Sequence, residues 1–156
     1  MDLVIDQKKY KPDLKYQSYT VSKLINMSNR KGKKNISRKN IYKALDIIEK
    51  QMKQEPLNVL ETAIANVAPN LEVRSVRIGG ANYQVPTPVS GERKVTLAMR
   101  WIIQVANQKK GKSFSEKLAE EIISAYKGEG TAMKKKNDVQ RMAEANKAFA
   151  HFARRQ

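Results

Sequence analysis

The sequence predicts a mainly α fold of about six helices, with one protruding β-hairpin and a basic, extended N-terminal arm. Three observations predict it. Apolar residues recur at three- and four-residue spacing in six separate stretches, the mark of one buried helix face. β-Branched and aromatic residues crowd into a single stretch, Leu71 to Val89, around a central Gly79-Gly80. The first 17 residues show no sustained period and contain Lys8, Lys9, Lys11, Pro12 and Lys15.

In chain order, residues 1–17 read as the arm and residues 18–152 as one helical domain, with the hairpin at about 72–88 and a basic tail at 153–156. The first helix starts near Ser18, uses Val21, Leu24 and Ile25, and dies in the basic turn Ser28-Asn29-Arg30-Lys31-Gly32. A second runs from Ser37, read as its N-cap, to about Gln54, on the stripe Ile41, Ala44, Leu45, Ile48 and Met52. Pro56 suits the first turn of a third, whose stripe is Leu60, Ala63, Ile64 and Val67 before Pro69. The hairpin follows. A two-strand ribbon is marginal in water, so it needs a supporting surface of protein or RNA.

The fourth helix, about Arg93 to Lys109, buries Leu97, Trp101, Ile102 and Val105, with Gly111 placed to end it in a left-handed conformation. The fifth opens on Ser113-Phe-Ser-Glu116, a capping box in which each end residue satisfies the other's free amide, and runs to Gly128. The sixth begins near Thr131 and continues through Met142 and Phe149, both assigned to packing. Lys134, Asp138 and Arg141 share its solvated face, with Lys135 beside them.

Charge decides the class of partner. The chain has 156 residues, 31 Lys plus Arg and 15 Asp plus Glu, a formal net charge of +16. With 40% apolar residues it can build a core, but so many unbalanced charges repel one another unless a polyanion is near. The excess runs along the whole chain: +8 over residues 1–56, +4 over 57–111 and +4 over 112–156. Lys31, Lys33 and Lys34, with the arm lysines, lie where backbone can follow a phosphate track. Arg74 and Arg77 on the ribbon, with Tyr83 as a stacking plane, can address an RNA groove or unpaired bases.

Catalysis has little to stand on. Zero Cys excludes disulfides, thiolate zinc sites, iron–sulfur clusters and a cysteine nucleophile, and one His, His151, builds no multi-histidine metal site. Gly32-Lys33 lacks the upstream glycine of a phosphate loop because position 27 is Met. Glu120 and Glu121 are adjacent, so they point about 100° apart on a helix and cannot share a substrate; they read as solvated face. His151 reads as a surface or RNA-stacking side chain. No enzyme activity, cofactor or metal is expected. No apolar run reaches a membrane span, and the start MDLVIDQKK resembles neither a signal nor a basic transit peptide. The chain is therefore expected to work where it is made, in a bacterial cytoplasm or in the interior of a plastid or mitochondrion. A stand-alone helical DNA-binding protein is the alternative.

At EVRSVRIGGANYQVP (72–86), LAMRWII (97–103) and GTAMKKKNDVQRMAEANKAFAHF (130–152) the sequence resembles the small-subunit ribosomal protein seven family, of bacterial and organellar type. GKK at 32–34 and Glu55-Pro56-Leu57 fit the same pattern, and the resemblance covers residues 12–152. It implies direct binding to the 3′ major domain of small-subunit ribosomal RNA, nucleation of head assembly, and a place at the tRNA exit site near messenger RNA. It also implies ribosomal proteins nine, eleven, thirteen and nineteen as neighbours. Carried over by motif, Arg74, Arg77, Gly79, Gly80, Arg93, Lys94 and Arg100 join the arm and turn lysines as ribosomal-RNA contacts. Tyr83, Lys134, Lys135, Arg141 and His151 fall to the exit-site surface. The family's arginine-rich beginning is replaced here by MDLVIDQKKYK, which shifts the first phosphate contacts to Lys8, Lys9 and Lys11.

Overall fold

The computed structural model describes residue 5 and residues 10–155, with side chains to residue 152. Six α-helices and one two-stranded antiparallel ribbon follow in the order α1 (Tyr19–Ser28), α2 (Lys34–Met52), α3 (Pro56–Val67), β1 (Leu71–Ile78), β2 (Ala81–Pro88), α4 (Gly91–Gln108), α5 (Phe114–Tyr126) and α6 (Thr131–Ala145). A terminal 3-10 segment, Lys147–Arg155, closes the chain.

The expected helix signals operate. Ser18 accepts the Val21 amide at the head of α1, Pro56 occupies the first turn of α3, and the Ser113–Glu116 capping box is complete. α5 lies centrally against α2, α3 and α4. Its Leu118, Ala119, Ile122 and Ala125 are wholly buried among Ile41, Leu45, Ile48, Leu60, Ile64, Met99 and Ile102. Each large side chain so buried contributes about 1.5–3 kcal/mol before entropy is counted.

Several expectations are corrected by tertiary contacts. Ser37 is not an N-cap: α2 starts three residues earlier, and the Ser37 hydroxyl is buried against α1, donating to the Ile25 carbonyl at 2.9 Å. The sixth helix does not run through Phe149; α6 stops at Ala145, and Asn146 leads into the 3-10 segment. Met142 is half exposed and belongs to no core. Gly111 is left-handed as expected, but it lies in the loop beyond Lys109, which caps α4 in an extended conformation. Residues 14–16 form a turn instead of continuing an extended arm. Buried Asp13 organises that turn, accepting the Lys15 and Tyr16 amides and the Tyr42 hydroxyl, at 2.8 Å to its nearer oxygen.

Glu121, expected on a solvated face, is almost fully buried, whereas Glu120 beside it is open to solvent. Glu121 takes an ion pair from Lys109 at 2.7 Å and the Ala132 amide at 2.9 Å. It thereby caps α6, whose own N-cap is Gly130, a residue without a side chain to do so. Gly130 sits at φ +96°, and a Cβ there would come within 3.0 Å of Ser124 Cβ and 3.1 Å of Glu121 Oε1. Only glycine satisfies both the backbone angle and the close approach.

The ribbon pairs Leu71 with Pro88 through Ile78 with Ala81, leaving Gly79-Gly80 as a two-residue turn with φ +57° and +89°. Positive φ at both central residues matches the right-handed strand twist, which is why two glycines serve here. Support comes from protein: α6 packs on β1 and the 3-10 segment on β2.

Candidate nucleic-acid interface

The turn joining α1 to α2 carries Arg30, Lys31, Gly32, Lys33 and Lys34, all exposed. Lys31 and Gly32 are both left-handed, at φ +52° and +74°, and this doubles the chain back so that Lys34 donates its amide to the Gly32 carbonyl at 2.8 Å. α2 then begins with no side-chain cap and no acidic residue in its first turn. Free amides and the positive end of the helix dipole thus add to the lysines.

Three hollows connect this turn to other elements. One holds Lys11 with Lys34 and Arg38. A second lies among Arg30, Lys33, Ile36, Asn40, Asn107 and Phe114. The third, sharing Arg30 and Asn107 with the second, adds Met27, Arg100, Ile103 and Gln104. Lys135 reaches across from α6 and donates to Gln104 Oε1 at 2.6 Å. A basic band therefore runs from Lys11 through the turn to Arg100 and Lys135, joining residues more than 100 positions apart in sequence. Among the described residues, none of its cations is paired with a carboxylate. Lys8 and Lys9 lie outside the described residues.

The base of the ribbon is arranged differently. Glu72, nearly buried, accepts Arg74 Nε at 2.6 Å on one oxygen and Arg93 Nε and Nη2 at 3.2 and 3.1 Å on the other. Burial alone would raise the Glu72 carboxyl, but the two guanidinium groups outweigh it and hold the pKa below the usual carboxylate range. Lys94 donates to Asn70 at 2.9 Å. Arg74 and Arg77 are three apart on a strand and so point to opposite faces. Arg77 is exposed, and its side chain forms no hydrogen bond or ion pair among the described residues.

Tyr83 is half-buried because Phe149 and Phe152 cover its ring, at centroid distances of 5.3 and 5.2 Å. Its stacking partners are the protein's own. Phe149 and Phe152 reach one side together because residues three apart eclipse in a 3-10 segment. His151 is exposed, with Nδ1 2.9 Å from the Ala148 carbonyl oxygen. Lys134 and Arg141 are exposed on α6. Lys136, next to them in sequence, turns inward to the Asn66 carbonyl at 2.6 Å, and burial lowers its pKa.

Comparison with known proteins gives the family. A family model described as ribosomal protein S7p/S5e matches residues 2–147. The chain belongs to that family. It is 52% identical over 145 residues to the small ribosomal subunit protein uS7 of Thermosipho melanesiensis, covering 93% of this chain and 94% of the relative. The protein of the same name from Thermotoga maritima is 51% identical over 147 residues, 94% and 95% of the two chains. That of Chloroflexus aggregans is 44% identical over 151 residues, 97% and 96%. Proteins of the S7p/S5e family are structural ribosomal proteins rather than enzymes.

Within this family member, two band residues escape a reading of the sequence alone. Arg30 reads as part of a helix terminator, and its place between the last helical residue and Gly32 was the available signal. Arg38 lies inside α2, and only the fold of residues 11–14 back onto that helix brings it beside Lys11.

Proposed function

We propose that this chain is a structural constituent of the small ribosomal subunit, binding the 3′ major domain of its RNA directly and nucleating assembly of the subunit's head. The observation that carries the reading is the unpaired basic band from Lys11 through Arg30 and Lys33 to Arg100. Cations brought together without carboxylate partners repel one another in the free protein, and a phosphate backbone relieves that repulsion while releasing counterions. Lys31 and Lys34 extend the band along the turn, and Lys8 and Lys9, outside the described residues, are assigned to the same RNA contacts from the sequence.

The second surface comprises the exposed α6 cations Lys134 and Arg141 with His151, beside the hairpin whose Arg77, Gly79 and Gly80 we assign to ribosomal-RNA contact. We assign it to the tRNA exit site near messenger RNA, with ribosomal proteins nine, eleven, thirteen and nineteen as neighbours in the head. Arg74, Arg93 and Lys94 join the RNA contacts from the ribbon base, and Tyr83 and Lys135 are assigned to the exit-site surface, Lys135 also ending the basic band at Gln104. From the sequence we assign residues 18–152 to the RNA-binding domain, with basic segments at 1–17 and 153–156 flanking it, the first of which turns at residues 14–16. The three relatives are bacterial, which favours a bacterial ribosome.

The test is binding of the full chain to transcripts of the 3′ major domain, of another small-subunit domain and to duplex DNA of equal length. Preferential binding to the 3′ major domain, with a log–log salt slope of roughly −0.7 to −0.9 per contact, is expected. Equal affinity for all three ligands would overturn it.

A further inference from the structure

We propose that the two adjoining hollows beside the α1–α2 turn receive an unstacked nucleobase of the bound RNA. The proposal rests on the RNA-binding reading and adds a mode of recognition to it. The hollows measure about 230 and 730 Å³ and share Arg30 and Asn107 in their walls. Phosphate contact uses cations, amides and polar side chains on an accessible surface and has no need of an apolar one. Here the cations stand over an apolar floor: Ile36 and Phe114 in one hollow, Met27 and Ile103 in the other. Ile36 remains 55% exposed, an apolar side chain left uncovered inside a basic band.

A planar base suits such a floor because it is apolar on its faces and polar at its edge. Phe114 and the guanidinium planes of Arg30 and Arg100 are the groups on which unpaired bases stack. The Asn107 amide donates through Nδ2 to the Ile103 carbonyl at 2.9 Å, so its Oδ1 remains an acceptor for a base edge. Asn40 supplies a second amide in the same hollow. No acidic side chain lines either hollow among the described residues, which disfavours a cationic ligand and leaves the phosphates flanking the base free to meet Arg30, Lys33 and Arg100. Bases inside a duplex cannot enter, so the site selects a bulge, loop or junction.

The experiment uses the full chain and a transcript of the 3′ major domain. Asn107→Trp fills the wall common to both hollows without altering charge. It is expected to weaken binding about tenfold at an unchanged salt slope, since one stacked base accounts for a loss of that order. Unpaired bases shielded from dimethyl sulfate in the wild-type complex should become reactive again. Ile36→Ser, at an exposed position that folding tolerates, should weaken binding about threefold or more with the same unchanged slope. If the wild type binds and both folded variants match it, or no unpaired base is shielded, the base site is refuted while the RNA-binding reading stands. If the wild type itself fails to bind the transcript, both fall. Equal weakening toward a fully paired RNA would also refute the base site, because the hollow would then serve backbone contact alone.

Discussion

The α1–α2 turn and the base of the hairpin look alike as sequence, each a cluster of basic residues near a glycine, yet their charges have opposite fates. At the turn, Arg30, Lys33 and Lys34 stand without carboxylate partners among the described residues. At the ribbon base, Arg74 and Arg93 converge on one nearly buried carboxylate, Glu72. The difference teaches that the charge a protein offers a polyanion is its unpaired charge, not its net charge. An arginine already hydrogen-bonded to a carboxylate must give up that partner before it can serve a phosphate fully.

The largest effect expected from this contrast is on RNA affinity at the turn. Arg30→Ala should cost about 1.5–3 kcal/mol of binding to the 3′ major domain and reduce the salt slope by about one contact. Thermal unfolding of the free protein should hardly change. Arg93→Ala should behave in the reverse sense, lowering the melting temperature more than the affinity. Parallel melting curves and titrations of both variants decide it; identical behaviour would erase the distinction between the two regions.

Glu72→Gln sharpens the comparison from the other side. Removing the negative charge frees Arg74 and Arg93, so the salt slope for RNA should steepen by up to about two contacts. Stability should fall by about 1–2 kcal/mol, because hydrogen bonds to a charged, nearly buried group are lost. A variant less stable than wild type and more salt-sensitive in binding is the expected outcome, measured by denaturant unfolding and by titration at several salt concentrations.

A smaller effect concerns pH. The folded-state pKa of Glu72 is lowered from 4.5, so the carboxylate binds protons less readily folded than unfolded. Its stabilisation is present above the unfolded value and is lost as pH falls from there through the depressed folded value. Wild type should therefore lose stability below about pH 4.5 more steeply than Glu72→Gln, in denaturant melts between pH 6 and 3. Parallel curves would show that the clamp contributes nothing to acid sensitivity.

The smallest effect is expected at Met142, half exposed on α6: Met142→Ala should change unfolding by less than about 0.5 kcal/mol. Arg141→Ala, exposed beside it, should likewise leave the core closed and act only on binding. A loss of several kcal/mol for either would mean that the C-terminal half of α6 is packed more tightly than its exposure implies.

Much of the fold was legible because its signals are local. Helical period, the Ser113–Glu116 box, Pro56 at a helix start and Gly79-Gly80 at a two-residue turn each act within a few residues, where backbone sterics and nearest hydrogen bonds decide the outcome. The basic band was legible in part: Lys11, Lys31, Lys33, Lys34 and Arg100 could be named, whereas Arg30 and Arg38 required the hollows that join them to distant elements. Glu121 and Met142 were misread because burial depends on which helix faces which. Glu121 meets Lys109 and the start of α6, while Met142 lies on the exposed side of a turn whose buried side is Ala143.

By itself, then, the amino-acid sequence determined the helices, the turn of the ribbon, the absence of thiol chemistry and the excess of sixteen positive charges. Tertiary structure alone decided where that excess is available. Lys23 is neutralised by Glu92, 69 residues away, and Arg93 by Glu72, 21 residues away. The band keeps its charge because, among the described residues, no carboxylate forms an ion pair with its cations; Asp13, which lines the hollow of Lys11, Lys34 and Arg38, is already taken by the Tyr42 hydroxyl and the Lys15 and Tyr16 amides. Coulomb energy depends on distance in space and on the water between two groups, and neither quantity exists until the chain has folded.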